Sequence, residues 1–215
     1  MWSKSEQIIL WTVTYIPLIL IMIFRFVVSN KIIKLNQIEI SLLKNTISLS
    51  PLIIEALIVL FILAISFLLY KVTIIYMFKG YEKQIVTGGD GQDYSIRKIN
   101  YLSVNDYSFF LLTLLLPLVS IDHTSVINLA VSIIIIFCVI SIYVKTDSIS
   151  SCPLFFFSGR RVYKGIISQG TKEEESADSS LRKEVVIILK EENLNLNGKM
   201  RGEELVNNVF YLTNK

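Results

Sequence analysis

Charge is scarce in this sequence. Of 215 residues, 18% are Asp, Glu, Lys or Arg and 53% are hydrophobic, with a mean hydropathy of +0.57. A water-soluble chain of this length needs more polar side chains to cover its surface, so the membrane class leads before any segment is inspected. Cysteine is nearly missing. Cys138 sits inside an apolar run and Cys152 just beyond it, and this pair forms no spaced set, which argues against a disulfide framework and a zinc site. The single histidine, His123, cannot build a metal centre alone. There is no serine elbow, no pair of catalytic carboxylates and no metal-ligand spacing, so no catalytic, cofactor-binding or metal-binding residue is assigned and no enzyme is expected. A formal net charge of +3 is too small to point to direct nucleic-acid binding. The apolar runs also lack the signs of a transport pathway: paired intramembrane carboxylates, matched glycine breaks and an inverted repeat.

What is there is a set of long apolar runs. Ile8 to Val28 has 21 residues and one charge, Arg25. At about 1.5 Å per residue it crosses a hydrocarbon core of about 30 Å. It is too long for a cleavable leader and has no small-residue cleavage motif, so it reads as a signal anchor. Leu52 to Met77 is a second run, with Glu55 near its start and Lys71 near its end. Val126 to Val144 is uncharged and the cleanest. Tyr107 to Ile121, with Pro117 inside, is short enough to be a re-entrant segment on its own.

The distribution of basic residues decides its reading. With four spans, one side of the membrane holds nine: Lys4; Lys79, Lys83, Arg97 and Lys98; and Lys145, Arg160, Arg161 and Lys164. The other side holds three, Lys31, Lys34 and Lys44. Lys and Arg concentrate in cytoplasmic segments, so four spans with both termini in the cytoplasm are predicted, the third and fourth joined by the loop "DHTS". Arg25 and Glu55 then fall at similar depth. They form a possible intramembrane ion pair, within or between subunits; alternatively each reaches the headgroups separately.

Between the first two spans, "SNKIIKLNQIEISLLKNTISLSP" alternates as a strand would at Ile38, Ile40 and Leu42, and also fits a helix lying on the membrane surface. "GGDGQD" (88–93) lacks the context of a phosphate or calcium loop and reads as a flexible turn. After the fourth span, Arg161–Ser168 and Glu184–Glu191 read as strands. The polar "SQGTKEEESADSS" between them reads as a mobile loop. "LNLNGK" ends in an Asn-Gly turn. "LVNNVFYL" is a third strand or a short helix, with Val, Phe and Tyr favouring strand. The expected fold is an α-helical membrane protein: a four-helix transmembrane domain over 1–150, then an interfacial elbow and a small cytoplasmic antiparallel β-rich tail over 151–215. A sheet of three or four strands is too small for a substantial core of its own, so the tail should need the membrane domain, another copy or a partner.

The elbow is "SCPLFFFSGRRVYKG". Pro153 ends or kinks the fourth helix. Leu154, Phe155, Phe156 and Phe157 form an apolar patch at headgroup level, Gly159 permits a turn, and Arg160 and Arg161 suit anionic lipid. It reads as a join between helix and sheet, or as a transmitter of movement between them. Pro153, Leu154, Phe155, Gly159 and Tyr163 are similar to the "NPLF…GY…Y" elbow of the KwaA family, the four-span membrane subunits of the bacterial Kiwa anti-phage defence system. Cys152 replaces the expected Asn, and Arg160 the expected Tyr. The resemblance implies a non-catalytic sensor and scaffold in the bacterial inner membrane. It implies assembly into a homo-oligomer, a tetramer, in contact with membrane lipid, and a cytosolic effector partner, KwaB-like, recruited through the cytoplasmic tail and loop. The other class considered is an oligomeric channel or pore-forming effector, for which the fourth span offers only Ser132, Cys138 and Ser141 as polar lining.

Overall fold

Three helices are long and apolar enough to cross a membrane in the computed structural model, which describes residues 2–33, 38–42, 45–87, 91–102, 104–119, 125–190 and 198–214. They are α1 (Lys4–Ser29), α2 (Pro51–Thr87) and, after a shorter helix α3 (Val104–Val119), α4 (Val126–Lys145). The predicted runs 8–28, 52–77 and 126–144 each lie inside one of the three. The fourth, Tyr107–Ile121, coincides with α3 as far as Val119. With 16 residues, α3 is about 24 Å long, short of the ~30 Å hydrocarbon thickness. The loop residues 122–124, His123 among them, lie outside the described residues, as do 88–90 of the glycine-rich turn.

α2 is left almost bare by the rest of the described chain. It has 37 residues, about 55 Å, and its apolar window is only 11% buried. Its start follows from Ser50 and Pro51. The Ser50 carbonyl accepts from the backbone N–H of Ile53 and Ile54, and proline is tolerated in a first turn whose N–H groups have no partner within the helix. The helix outlasts the apolar run and continues through Glu82 to Thr87. Between α1 and α2, strands β1 (Ile38–Leu42) and β2 (Asn45–Leu49) pair antiparallel, Ile38 opposite Leu49, so strand and not surface helix is formed there.

The tail is not a three- or four-stranded antiparallel sheet. Five strands close into a barrel: β3 (Gln92–Tyr101), β4 (Arg160–Ser168), β5 (Arg182–Lys190), β6 (Lys199–Val206) and β7 (Val209–Thr213). β3 comes from the connection between α2 and α3, read from sequence only as a basic loop. Its Tyr94 and Ile96 point into the core with Tyr163, Ile167, Ile187, Leu189, Met200 and Phe210. Closure supplies the core that an open sheet of this size lacks. Counted along the chain, the barrel strands neighbour one another in the order 1-2-3-5-4 and back to 1. The third and fifth are parallel and all other pairs antiparallel. This is the connectivity of the OB barrel. The first strand carries a bulge between Ile96 and Lys98, which coils a long strand around a small barrel. Gly165 lets β4 lie close to β3: a Cβ there would meet the Lys98 carbonyl oxygen at 2.6 Å.

Two turns differ from expectation. "LVNNVFYL" is neither one strand nor a helix. Asn207 and Asn208 break it into β6 and β7, with Asn208 at φ +58°, a conformation asparagine tolerates. The Asn197 turn lies outside the described residues. The polar stretch after β4 folds into a short helix, α5 (Lys172–Ala177), started by a reciprocal capping box between Thr171 and Glu174.

The chain divides into two compact units. One holds Met1–Thr14, Tyr70–Leu111 and Ile140–Lys215, including the whole barrel; the other holds Tyr15–Leu69 and Leu112–Val139.

Candidate functional site

The chain reaches the barrel from α4 through a series of backbone turns. Asp147 adopts φ +53°, short 3-10 turns follow at Ile149–Ser151 and Pro153–Ser158, and Gly159 (φ +68°, ψ 14°) launches β4. Pro153 starts its turn and Gly159 ends it in the left-handed region. No atom lies within 4 Å of where a Cβ of Gly159 would be, so glycine serves there for conformation and not for space. The first turn of α1 holds this corner. The Lys4 ammonium donates to the Val144 carbonyl (2.8 Å), capping the end of α4, and to Asp147 (2.6 Å); the Gln7 amide also donates to Asp147 (2.8 Å). Trp11 stacks on Tyr143 with ring centroids 4.0 Å apart. Cys152 is fully buried, its sulfur 3.4 Å from the Thr14 hydroxyl.

The elbow residues therefore divide by environment. Leu154 and Phe155 are fully buried, so they are packing residues and not a patch open to headgroups. The side chains of Phe156 and Phe157 lie outside the description. Arg160 overturns its sequence reading. It is 6% exposed and faces protein, not lipid. Its guanidinium lies 2.6 Å from Glu82 of α2, 4.3 Å over the centroid of the Phe78 ring, and 3.4 Å from the Tyr211 hydroxyl. Arg161 is exposed, 6.0 Å over the Tyr101 ring. Tyr163 is buried in the barrel core.

Glu82 is the centre of this cluster. One oxygen accepts from Arg160 and from the Tyr211 hydroxyl; the other accepts from Lys190 at 2.7 Å. Three strands, β4, β5 and β7, thus converge on one carboxylate at the end of α2. Burial pushes the Tyr211 hydroxyl above the ordinary tyrosine range, which keeps it a donor to Glu82. Phe78, one turn before Glu82, packs against Trp2, Phe155 and Tyr211 at centroid distances of 5.1, 6.2 and 4.8 Å. The Trp2 backbone N–H donates to the Leu205 carbonyl of β6. The amino end, α2 and the barrel meet here through ionic and aromatic contacts.

A second buried carboxylate, Glu175 of α5, fastens the bulge of β3. Arg97 lies 2.6 Å away, and Arg182 donates at 3.0 Å. The Arg97 hydrogen bond, aided by Ser168 and Arg182, lowers the Glu175 carboxyl from 4.5 to about 2.

Arg25 and Glu55 line one cleft of about 490 Å³ between α1 and α2, and no salt bridge joins them. Sequence reasoning singled out the residues of this stretch but missed the partners Glu82, Lys190 and Tyr211, and the Glu175 cluster. One sign was available: an acid on a helix continuing past its apolar run. Another was the capping pattern Thr171-x-x-Glu174, which starts the helix carrying Glu175.

No curated protein and no solved structure matches this chain. A family profile does, that of the anti-phage protein KwaA, over residues 6–211. Spanning nearly the whole length, spans and barrel alike, the match places the chain in the KwaA family of anti-phage proteins.

Proposed function

We propose that this chain is a non-catalytic sensor and scaffold subunit of a phage-defence complex in the bacterial inner membrane. α1 to α4 all cross, both termini are cytoplasmic, and the barrel is the platform that recruits a cytosolic, KwaB-like effector. The supporting observation is the Glu82 cluster. A closed barrel with its own core is joined by a buried ion pair and aromatic packing to the end of a helix whose apolar run is left almost bare. Such a joint suits a rigid extension of a membrane helix into the cytoplasm. Family membership supplies the anti-phage setting. The bare α2 face suits lipid and further copies of the chain, so a homo-oligomer, a tetramer by family resemblance, is part of the reading.

The test is reconstitution. The full chain in nanodiscs should retain the purified cytosolic effector on size exclusion, and the chain alone in potassium-loaded vesicles should leave them sealed. Potassium efflux from the chain alone would replace the scaffold with a pore. Basic-residue asymmetry is checked by labelling introduced cysteines: Lys4→Cys and Lys164→Cys should react only from the cytoplasmic side.

A further inference from the structure

The cleft of about 490 Å³ between α1 and α2 holds two opposite charges. α1 lines it with Phe24, Arg25, Val28 and Ser29. α2 lines it with Leu52, Glu55, Ala56 and Val59. Both sets follow the three-and-four spacing of a single helix face, so two such faces build the walls. Arg25 stands one turn before the end of α1 at Ser29, and Glu55 one turn after the start of α2 at Pro51. At about 1.5 Å per residue, each is about 6 Å inside its helix end. Among the described residues neither side chain has a hydrogen-bond or ion-pair partner. An ionisable group on a membrane helix is costly, and it is retained where something answers its charge.

Opposite charges on the walls of one cleft restrict what fills it. A lone anion satisfies Arg25 and is repelled by Glu55. A lone cation does the reverse. A zwitterion satisfies both. The rest of the lining is mostly hydrocarbon: Phe24, Ala56 and Val59 lie deeper than the charges, with Val28 and Leu52 nearer the rim. Charge near the helix ends and apolar wall beyond it is the profile of a phospholipid standing in its leaflet. A second copy fits less well. In a two-fold contact this cleft would face itself, concave against concave, and the space would stay unfilled.

We propose that the cleft binds the phosphoethanolamine headgroup of a membrane phospholipid, its phosphate on Arg25 and its ammonium on Glu55. The inference rests on the reading that α1 and α2 cross the membrane. The forked N–H donors of a guanidinium match two phosphate oxygens. A primary ammonium has three N–H donors to give to a carboxylate. The trimethylammonium of choline has none, and is held by cages of aromatic rings instead. Among the described residues lining the cleft, Phe24 is the one aromatic ring. A glycerol headgroup brings no cation to Glu55.

The experiment is native mass spectrometry of the full chain in detergent, titrated with phosphatidylethanolamine, its mono-, di- and trimethylated (choline) forms, and phosphatidylglycerol, all with the same acyl chains. Wild type should bind the ethanolamine lipid about tenfold or more tighter than the choline and glycerol lipids. Affinity should fall along the methyl series as N–H donors are lost. Glu55→Met should erase the preference over choline, and Arg25→Met should weaken all the phospholipids alike. Lys71→Met, on α2 outside the cleft, should bind as wild type does. Arg25 and Glu55 are at least partly exposed, so their variants should keep the wild-type melting temperature, and the methyl series needs no variant at all. Equal wild-type affinity for ethanolamine and choline lipids would overturn the proposal, as would a preference that survives in Glu55→Met. Soluble glycerophosphoethanolamine that binds as tightly as the lipid would assign the cleft to a free zwitterion. A change of oligomer mass in either cleft variant would assign it to a second copy. Both outcomes overturn the lipid site. Labelling of Lys4→Cys and Lys164→Cys from opposite sides would overturn the four-span reading, whereas missing lipid selectivity in a correctly inserted chain overturns this site alone.

Discussion

The barrel and helix α2 are both rich in apolar residues, yet they use them in opposite ways. Every residue of β7 is buried, whereas Phe61, Leu60 and Leu68 of α2 are each more than 60% exposed. The barrel satisfies its apolar side chains internally, through an alternating pattern and closure. α2 is apolar all round and relies on whatever surrounds it. Stability of the first should depend on packing within the chain, and stability of the second on its surroundings.

The strongest way to break this contrast is to hollow out the barrel. Phe210→Ala should cost about 3–5 kcal/mol, seen as a lost unfolding transition in nanodiscs. Leu60→Ala or Leu68→Ala should change the melt by less than about 0.5 kcal/mol; a large loss there would mean that α2 is packed after all. Next comes the joint. Glu82→Ala leaves Arg160 buried without its carboxylate and should cost about 3 kcal/mol, read by hydrogen exchange as faster opening of β4 and β5, with α2 protected from exchange as before. Equal loss of protection in α2 would show one cooperative unit.

Acid sharpens the comparison within the barrel. The folded-state value for Glu175 is depressed, so its contribution is complete above about pH 4.5 and is lost as pH falls through about 2. Acid titration of the wild type should show a stability loss in that window, and Glu175→Gln should flatten it; an unchanged acid limb would dissociate Glu175 from it. The smallest effect belongs to α1 and α2 in the second unit. Arg25→Glu should change the melt by about 0.5 kcal/mol or less, since no salt bridge joins it to Glu55, and adding Glu55→Arg should leave that unchanged; rescue by the double swap would show that the two groups pair.

Much of the helical architecture was legible, because a hydrocarbon solvent demands uninterrupted apolar length. β4 and β5 were legible from Val and Ile alternation. The barrel was not, for two reasons. Its first strand lies 58 residues before its second, hidden in a segment whose basic residues had already been explained by membrane topology. The Asn207–Asn208 turn also divides what looks like a single strand. Arg160 was misread because a cation beside aromatics after a span fits headgroups and a buried carboxylate equally well. What separates the two is Glu82, 78 residues upstream, and only the fold brings them together. Leu154 and Phe155 were misplaced for the same reason, since the partner burying Phe155 is Phe78.

The split origin of the barrel has a consequence for how the chain matures. β3 is synthesised well before β4, and α3 and α4 must be made in between. Until they are, β3 has neither of its neighbours and leaves polar backbone unpaired, the state in which strands aggregate or are recognised as unfinished. Closing the barrel therefore waits on α3 and α4: only once both have been made can β4 to β7 follow and give β3 its two neighbours.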